Sequence, residues 1–238
     1  MIVARIRDGK QIVVTGSCKI ERYDGEKAGW FPVESFNFGF TEDPVDDEKD
    51  SPAKAGSGGG GPSKPAGGGG GAKGQGGKKK GNKDFAELSL EKQIDSATCS
   101  LMYLAMEERK SKRGVVKSQG GKARDLNADI HVLGLVQRGQ TAEKTVYPIV
   151  MLHLEAVNLL GWEVRGSGDS RPSETVKLKY DRAAIVYCST IDGQHFMRHG
   201  PRGWDQTTNS GFDEGKFDWK VNDFLGFLPT GTVQSLTG

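Results

Sequence analysis

The sequence predicts a mainly β chain folded as an antiparallel sandwich or barrel, with one helix and one long glycine- and lysine-rich loop. Three observations predict it. Hydrophobic residues recur with period two in several runs between Val33 and Cys188, one stretch alone has helical spacing, and residues 51–83 form a low-complexity interruption. Strands that do not alternate with helices argue against a parallel sheet, in which each crossover needs a helix.

The first strand signal is at residues 33–40, where Glu34, Phe36, Phe38 and Phe40 alternate with Val33, Ser35, Asn37 and Gly39. Three phenylalanines on one face of a pleated strand mark that face as core. Residues 51–83 follow, made of Gly, Ser, Pro, Ala and Lys with almost nothing apolar. Such a segment cannot bury enough surface to offset its ordering entropy, so a flexible loop is expected. Acidic residues from Glu42 to Asp50 precede it and lysines from Lys73 to Lys83 end it. A solvated polyampholyte is the plain reading, and an electrostatic docking arm the sharper one.

After the loop, Leu88, Leu90 and Ile94 alternate with Ser89, Glu91 and Gln93. The pattern then becomes helical over residues 97–110: Asp95 or Ser96 can cap the start, Leu101, Leu104 and Ala105 share a face, and basic residues close the end. Period two returns at residues 129–132 and 146–157. The second of these runs is apolar on both alternating faces, so its second face needs cover from the helix or from a neighbouring subunit. In residues 175–188, Val176, Leu178 and Tyr180 alternate with Lys177, Lys179 and Asp181, while residues 183–188 read as more evenly buried.

Composition narrows the function. The hydrophobic fraction of the 238 residues is 35%, low enough to place part of the chain outside any core. Lys and Arg total 33 against 31 Asp and Glu, a formal charge of +2, too little to draw the whole molecule to nucleic acid or anionic lipid. Cys18, Cys99 and Cys188 are odd in number and widely spaced, which points to reduced thiols and away from a disulfide framework or a zinc site. The opening residues carry Arg5, Arg7 and Asp8 where a cleaved signal would be apolar. Synthesis in the cytoplasm is expected, with any export by a route that uses no cleaved signal.

Chemistry-bearing motifs fail on context. Residues 56–61 match G-x-G-x-x-G only because low-complexity glycine matches by chance, with no strand before and no helix after. Lys79 stands where a Walker motif needs Ser or Thr. His195 and His199 have i, i+4 spacing, but Gly193, Gly200 and Pro201 disfavour a helix there, so a solvated loop pair is expected. His131 and His153 lie in strand patterns and read as hydrogen-bonded wall residues. No G-x-S-x-G elbow occurs. No catalytic, cofactor-binding or metal-ligating residue is therefore assigned, and an enzyme is not expected.

Several segments resemble a known family in order. Gly29-Trp30-Phe31-Pro32-Val33-Glu34-Ser35-Phe36-Asn37-Phe38-Gly39 is similar to the G-W-I-x-V-x-S-F-x-x-G signature of the haemolysin-coregulated protein (Hcp) family of type VI secretion systems. Lys92-Gln93-Ile94-Asp95-Ser96-Ala97 resembles that family's K-x-V/I-D-x-A/S passage from strand to helix. Residues 149–157 resemble a later strand. Residues 172–180 resemble the P-x-E-x-V/I/L-x-L-x-F/Y element, and Gly203-Trp204-Asp205-Gln206-Thr207-Thr208-Asn209 the G-W-D/N-x-x-x-N motif that follows the barrel. The glycine-lysine insertion is unusually long for that family, residues 109–128 are enlarged and basic, and the tail 213–238 has no clear counterpart.

The resemblance implies a small antiparallel β-barrel with one flanking helix, residues 1–212 forming one domain interrupted by the loop 51–83, and a C-terminal tail over residues 213–238. It implies a structural tube subunit that forms hexameric rings, which stack into a hollow tube. The implied partners are further copies of the chain, a contractile sheath, a spike, and effectors carried in the lumen, with secretion as the destination and neither specific nucleic acid nor membrane insertion involved. Val33, Glu34, Phe36, Lys177 and Lys179 are the expected ring-interface residues. The alternative is a monomeric module whose Lys73–Lys83 and Arg109–Arg124 segments grip an acidic partner such as RNA.

Overall fold

A computed structural model of the chain describes residues 1–20, 23, 29–39, 87–112, 125–137, 144–166, 168–190, 195–213 and 233–235. The glycine-lysine loop, most of the basic residues 109–128 and most of the tail lie outside the described residues. In chain order the elements are β1 (Ile2–Asp8), β2 (Gln11–Ile12), β3 (Phe31–Val33), β4 (Ser35–Asn37), β5 (Leu88–Gln93), α1 (Thr98–Lys112), β6 (Leu126–Gln137), β7 (Lys144–Glu155), β8 (Asn158–Arg165), β9 (Ser173–Lys179), β10 (Arg182–Thr190), β11 (Phe196–Asp205), β12 (Ser210–Asp213) and β13 (Val233–Ser235). Among the described residues the chain is mainly β with one helix, as the hydrophobic periods predict.

The strands form two sheets. The larger runs β12-β11-β10-β7-β6-β1-β2, with β3 also on β1 and β13 on β11; the smaller runs β4-β5-β9-β8. Every pairing is antiparallel except that of β11 with β13. The expected barrel is not closed by hydrogen bonds among the described residues. The chain instead crosses between sheets at corners. Glu34 is one: β3 before it pairs with β1, β4 after it pairs with β5, and its own N–H donates to Glu91 O at 2.8 Å. Ala156 is another, with φ +52 between β7 and β8. A third, at Tyr180 and Asp181, splits the run 175–188 into β9 of the small sheet and β10 of the large one.

The main core lies between the sheets and under the helix. Ala4, Ile6, Ile130, Leu152 and Leu154 of the large sheet meet Leu88, Leu90, Leu159, Val176 and Leu178 of the small one, and Leu101, Leu104 and Ala105 cover the join. Burying each such leucine stabilises the fold by about 1.5–3 kcal/mol relative to leaving it exposed. The helix starts where Asp95 Oδ1 accepts the Ala97 N–H at 2.8 Å and Thr98 Oγ1 accepts the Asp95 N–H at 3.0 Å, a reciprocal cap. It packs on β8.

The reverse face of the large sheet is covered by the chain between β2 and β3. Cys18, Tyr23 and Trp30 pack there on Val3 and Leu133. Gly16 makes this possible, because a Cβ at that position would lie 1.9 Å from Trp30 O.

Four expectations change. β7 is buried on both faces at residues 151–155 within the single chain, where Met151 lies beside Val186, Cys188 and Phe196 of the same sheet, so no neighbouring subunit is needed there. β10 is not evenly buried, since Ile185 and Tyr187 are exposed where the small sheet no longer overlies it. On β5 the residue in phase with Leu88 and Leu90 is Lys92, which is fully buried, while Ile94 falls past the strand end and is exposed. His199 is in β11 rather than a loop, although both it and His195 are exposed as expected.

Candidate assembly surface

The five expected interface residues fall on two surfaces. Glu34 and Phe36 lie on the edge formed by β3 and β4, Glu34 exposed and Phe36 half-buried against the core. Val33 belongs to the same edge but is buried in the core between the sheets. Lys177 and Lys179 are exposed on β9, on the outer face of the small sheet. Asn37, Ser89 and Lys177 are successive cross-strand partners there, and Lys177 Nζ is 3.8 Å from Glu87 Oε2. That face is solvated and polar, whereas Val33 and Phe36 point to the interior.

A groove of about 340 Å³ runs beside the edge, lined by Ser17, Pro32, Val33, Glu34, Gln93, Ile94, Asp95 and Arg171. Its floor is fixed by a buried charge cluster. Lys92 Nζ donates to Glu174 Oε1 at 2.6 Å, to Asp95 Oδ1 at 2.7 Å and to Gln93 O at 2.7 Å. Thr98 Oγ1 donates to the same Glu174 oxygen at 2.8 Å, Trp162 Nε1 donates to its other oxygen at 2.5 Å, and Ser17 Oγ donates to Asp95 Oδ2 at 2.6 Å. Lys92 and Glu174 are essentially unexposed, so each charge is stable there only because the other is present. The cluster ties β5, β9, β8 and the start of α1 into one unit beside the edge. The lysine and aspartate of one sequence motif thus meet the glutamate of another roughly eighty positions away.

The reverse face of the large sheet holds a second charged array, a ladder across five strands. Arg5 and Arg7 of β1 reach Asp129 Oδ2 at 2.8 and 2.9 Å, and Asp129 Oδ1 lies 2.6 Å from His153 Nδ1. His153 Nε2 is 3.6 Å from Glu155 Oε1, Glu155 Oε2 is 2.5 Å from Arg182 Nη1, and Arg182 Nε is 3.4 Å from Asp205 Oδ2. Burial pushes the Asp129 carboxyl up, but the His153 hydrogen bond and the charges of His153, Arg5 and Arg7 outweigh it and hold the group below the usual carboxylate range. Burial pushes His153 down, yet hydrogen bonds and charge from Asp129 and Glu155 leave its pKa raised. His131, hydrogen-bonded to the Tyr23 hydroxyl at 3.0 Å, is lowered to about 3 by burial, which the Asp129 charge only partly opposes. The Asp129–His153 pair has the outline of a catalytic dyad, but the nitrogen that would face a substrate is engaged with Glu155. The array braces strands.

Asp205 shows what the G-W-D motif does. Its Oδ1 accepts the Thr207 N–H at 2.9 Å, the Thr208 N–H at 3.2 Å and the Thr207 hydroxyl at 2.6 Å, forming the turn between β11 and β12. The motif is therefore part of the large sheet and does not follow a completed barrel. Sequence reasoning missed Lys92, Glu174 and Trp162 as one cluster, and missed the ladder. For Lys92 a signal existed, since a lysine in phase with Leu88 and Leu90 must be buried and paired.

No family model and no curated protein matches the sequence. Solved structures do. One described as a structure of a type six secretion system protein is 17% identical, with 89% of this chain and 100% of that chain covered and a TM-score of 0.52. Hcp1 from Salmonella typhimurium is 10% identical over 89% of this chain and 99% of its own, with a TM-score of 0.47. The secreted protein Hcp3 from Pseudomonas aeruginosa is 12% identical over 92% and 100%, with a TM-score of 0.41. The chain thus has the fold of a solved structure described as that of a type six secretion system protein.

Proposed function

We propose that this chain is the tube subunit of a type VI secretion system, a structural protein without enzymatic activity that closes into hexameric rings. Stacked rings form a hollow tube, carry effectors in the lumen, engage a sheath and a spike, and leave the cell by that route. The observation that carries the reading is the shared fold over 89% of this chain and the whole of a type six secretion system protein. The meeting of Lys92, Asp95 and Glu174 supports it, because motifs that carried the resemblance in sequence cooperate in space. The open backbone of β4, which pairs with β5 alone among the described residues, offers an edge to a neighbour.

Native mass spectrometry of the untagged protein at micromolar concentration tests this. A hexamer or its multiples, with rings in negative-stain micrographs, is expected. A monomer that persists at high concentration and gives no rings overturns the reading. Salt separates it from the RNA-binding alternative, since phosphate contacts weaken steeply as salt rises while an apolar ring contact holds.

A further inference from the structure

We infer that the uncovered apolar stripe at Val150, Ile185 and Tyr187 receives the β3–β4 edge of a second copy of this chain. The inference rests on the ring reading above and supplies the counter-surface that a head-to-tail contact requires.

Residues directly opposed on antiparallel strands share a face. Val33, Ile2, Val132, Val150, Tyr187 and His199 are successive opposed partners from β3 to β11. Phe31, Ala4, Ile130, Leu152, Ile185 and Arg202 form the adjacent row. Both rows begin in the core at β3 and emerge at β10, where Ile185 is 42% and Tyr187 46% exposed. A four-stranded sheet cannot overlie a nine-stranded one, so the inner face of the larger sheet runs out from under its cover. Single exposed apolar residues are ordinary, but these two are neighbours on one face and continue the core through half-buried Val150.

Charge and position select the occupant. The stripe ends at exposed Arg202, while exposed Glu34 and Glu91 rim the β3–β4 edge, so the two surfaces bring opposite charges together. The edge also supplies an open strand. Both surfaces lie at opposite ends of the same cross-strand rows. A neighbour that seats one on the other is therefore displaced along the rows with little slide along the strands, which favours a closed ring over a rising filament.

The test compares the full chain with Ile185→Glu and Tyr187→Glu by native mass spectrometry, circular dichroism and urea denaturation. Each substitution places an acid opposite the neighbour's Glu34. The hexamer is expected to fall at least about tenfold at micromolar concentration while the spectrum and denaturation midpoint stay unchanged. In a Cys99→Ser background, Glu34→Cys with Tyr187→Cys should give oxidised ladders up to six chains. Hexamers that persist in both glutamate variants, with no ladder, overturn the inference and leave the ring reading standing. A lowered midpoint with rings intact overturns it too, showing that the chain's own residues cover the stripe. A wild-type chain that stays monomeric removes both.

Discussion

Lys92 and Asp129 are both buried charges held by opposite charges, yet the sites around them are built differently. Lys92 sits in a compact knot with Asp95 and Glu174 where β5 passes into α1, and it holds the small sheet, the helix start and the groove together. Asp129 sits in a ladder spread over β1, β6, β7, β10 and β11, and it braces the large sheet across its strands. The knot joins one lysine to two carboxylates, while the ladder contains an imidazole whose pKa is raised. One is a fixed joint and the other responds to protons, in a molecule whose proposed task is to hold shape until assembled.

The largest expected effect is at the knot. Glu174→Ala removes one partner of Lys92 together with the bonds from Thr98 and Trp162, and leaves a buried ammonium with Asp95 and the Gln93 carbonyl; a loss of about 3–5 kcal/mol is expected in urea denaturation. Lys92→Met should cost less, about 2–3 kcal/mol, because Thr98 and Trp162 still donate to Glu174. A cost under about 1 kcal/mol for both would show that water, and not the protein, solvates these charges.

At the ladder, Asp129→Asn is expected to cost about 2–4 kcal/mol, since Arg5, Arg7 and His153 lose a common anion at once. Part of the cost is relieved because both arginines are about one-fifth exposed and can turn to solvent. A double-mutant cycle of Asp129→Asn with Glu174→Ala should be additive, because the two arrays occupy opposite faces of the large sheet. Measured coupling between them would break the distinction between joint and brace.

The proton response has a defined sign. The raised pKa of His153 contributes stability that is fully present below its ordinary value of 6.5 and is lost as pH rises through the raised one. His131 acts oppositely: with its pKa lowered to about 3, it contributes stability present above 6.5 and lost as pH falls toward 3. Denaturation midpoints across pH 3 to 10 should therefore fall on both sides of a maximum near 6.5. His153→Gln should flatten the alkaline limb and His131→Gln the acid limb, each leaving the other in place. An alkaline limb unchanged in His153→Gln would place the response elsewhere.

The parts legible in the sequence were those that depend on local order. The helix and the buried triplet Leu101, Leu104 and Ala105 follow from spacing alone, while the cap, open in the sequence between Asp95 and Ser96, is Asp95. Period two gave the strands but not the sheet each joined, so residues 175–188 read as one run although Tyr180 and Asp181 turn the chain from one sheet to the other. Exposure at Ile185 and Tyr187 was illegible for a related reason. Whether an apolar face is covered depends on how far the opposing sheet extends, which no window of sequence contains. The ladder was hidden because Arg5, Asp129, His153, Glu155, Arg182 and Asp205 share no motif and meet only through strand register.

The smallest expected effect concerns the deletion of residues 51–83. The chain leaves the small sheet after β4 and returns at β5, and these strands are direct antiparallel neighbours, with Asn37 opposite Ser89. The connection between β4 and β5 therefore starts and ends on adjacent strands, and without residues 51–83 it still has enough residues to join them. Loop-closure entropy changes as the logarithm of length, so deleting residues 51–83 should alter stability by about 1 kcal/mol or less, with shortening slightly favourable. The knot on the other end of β5 fixes the strand's register independently, through Lys92 and Asp95. The deletion variant should thus keep the wild-type denaturation midpoint within that margin and the same hexamer in native mass spectrometry. If it comes out insoluble, residues 51–83 make packing contacts that the fold requires; if it is soluble but monomeric, they act in assembly, and the acidic and basic flanks from Glu42 to Asp50 and Lys73 to Lys83 become the next residues to exchange.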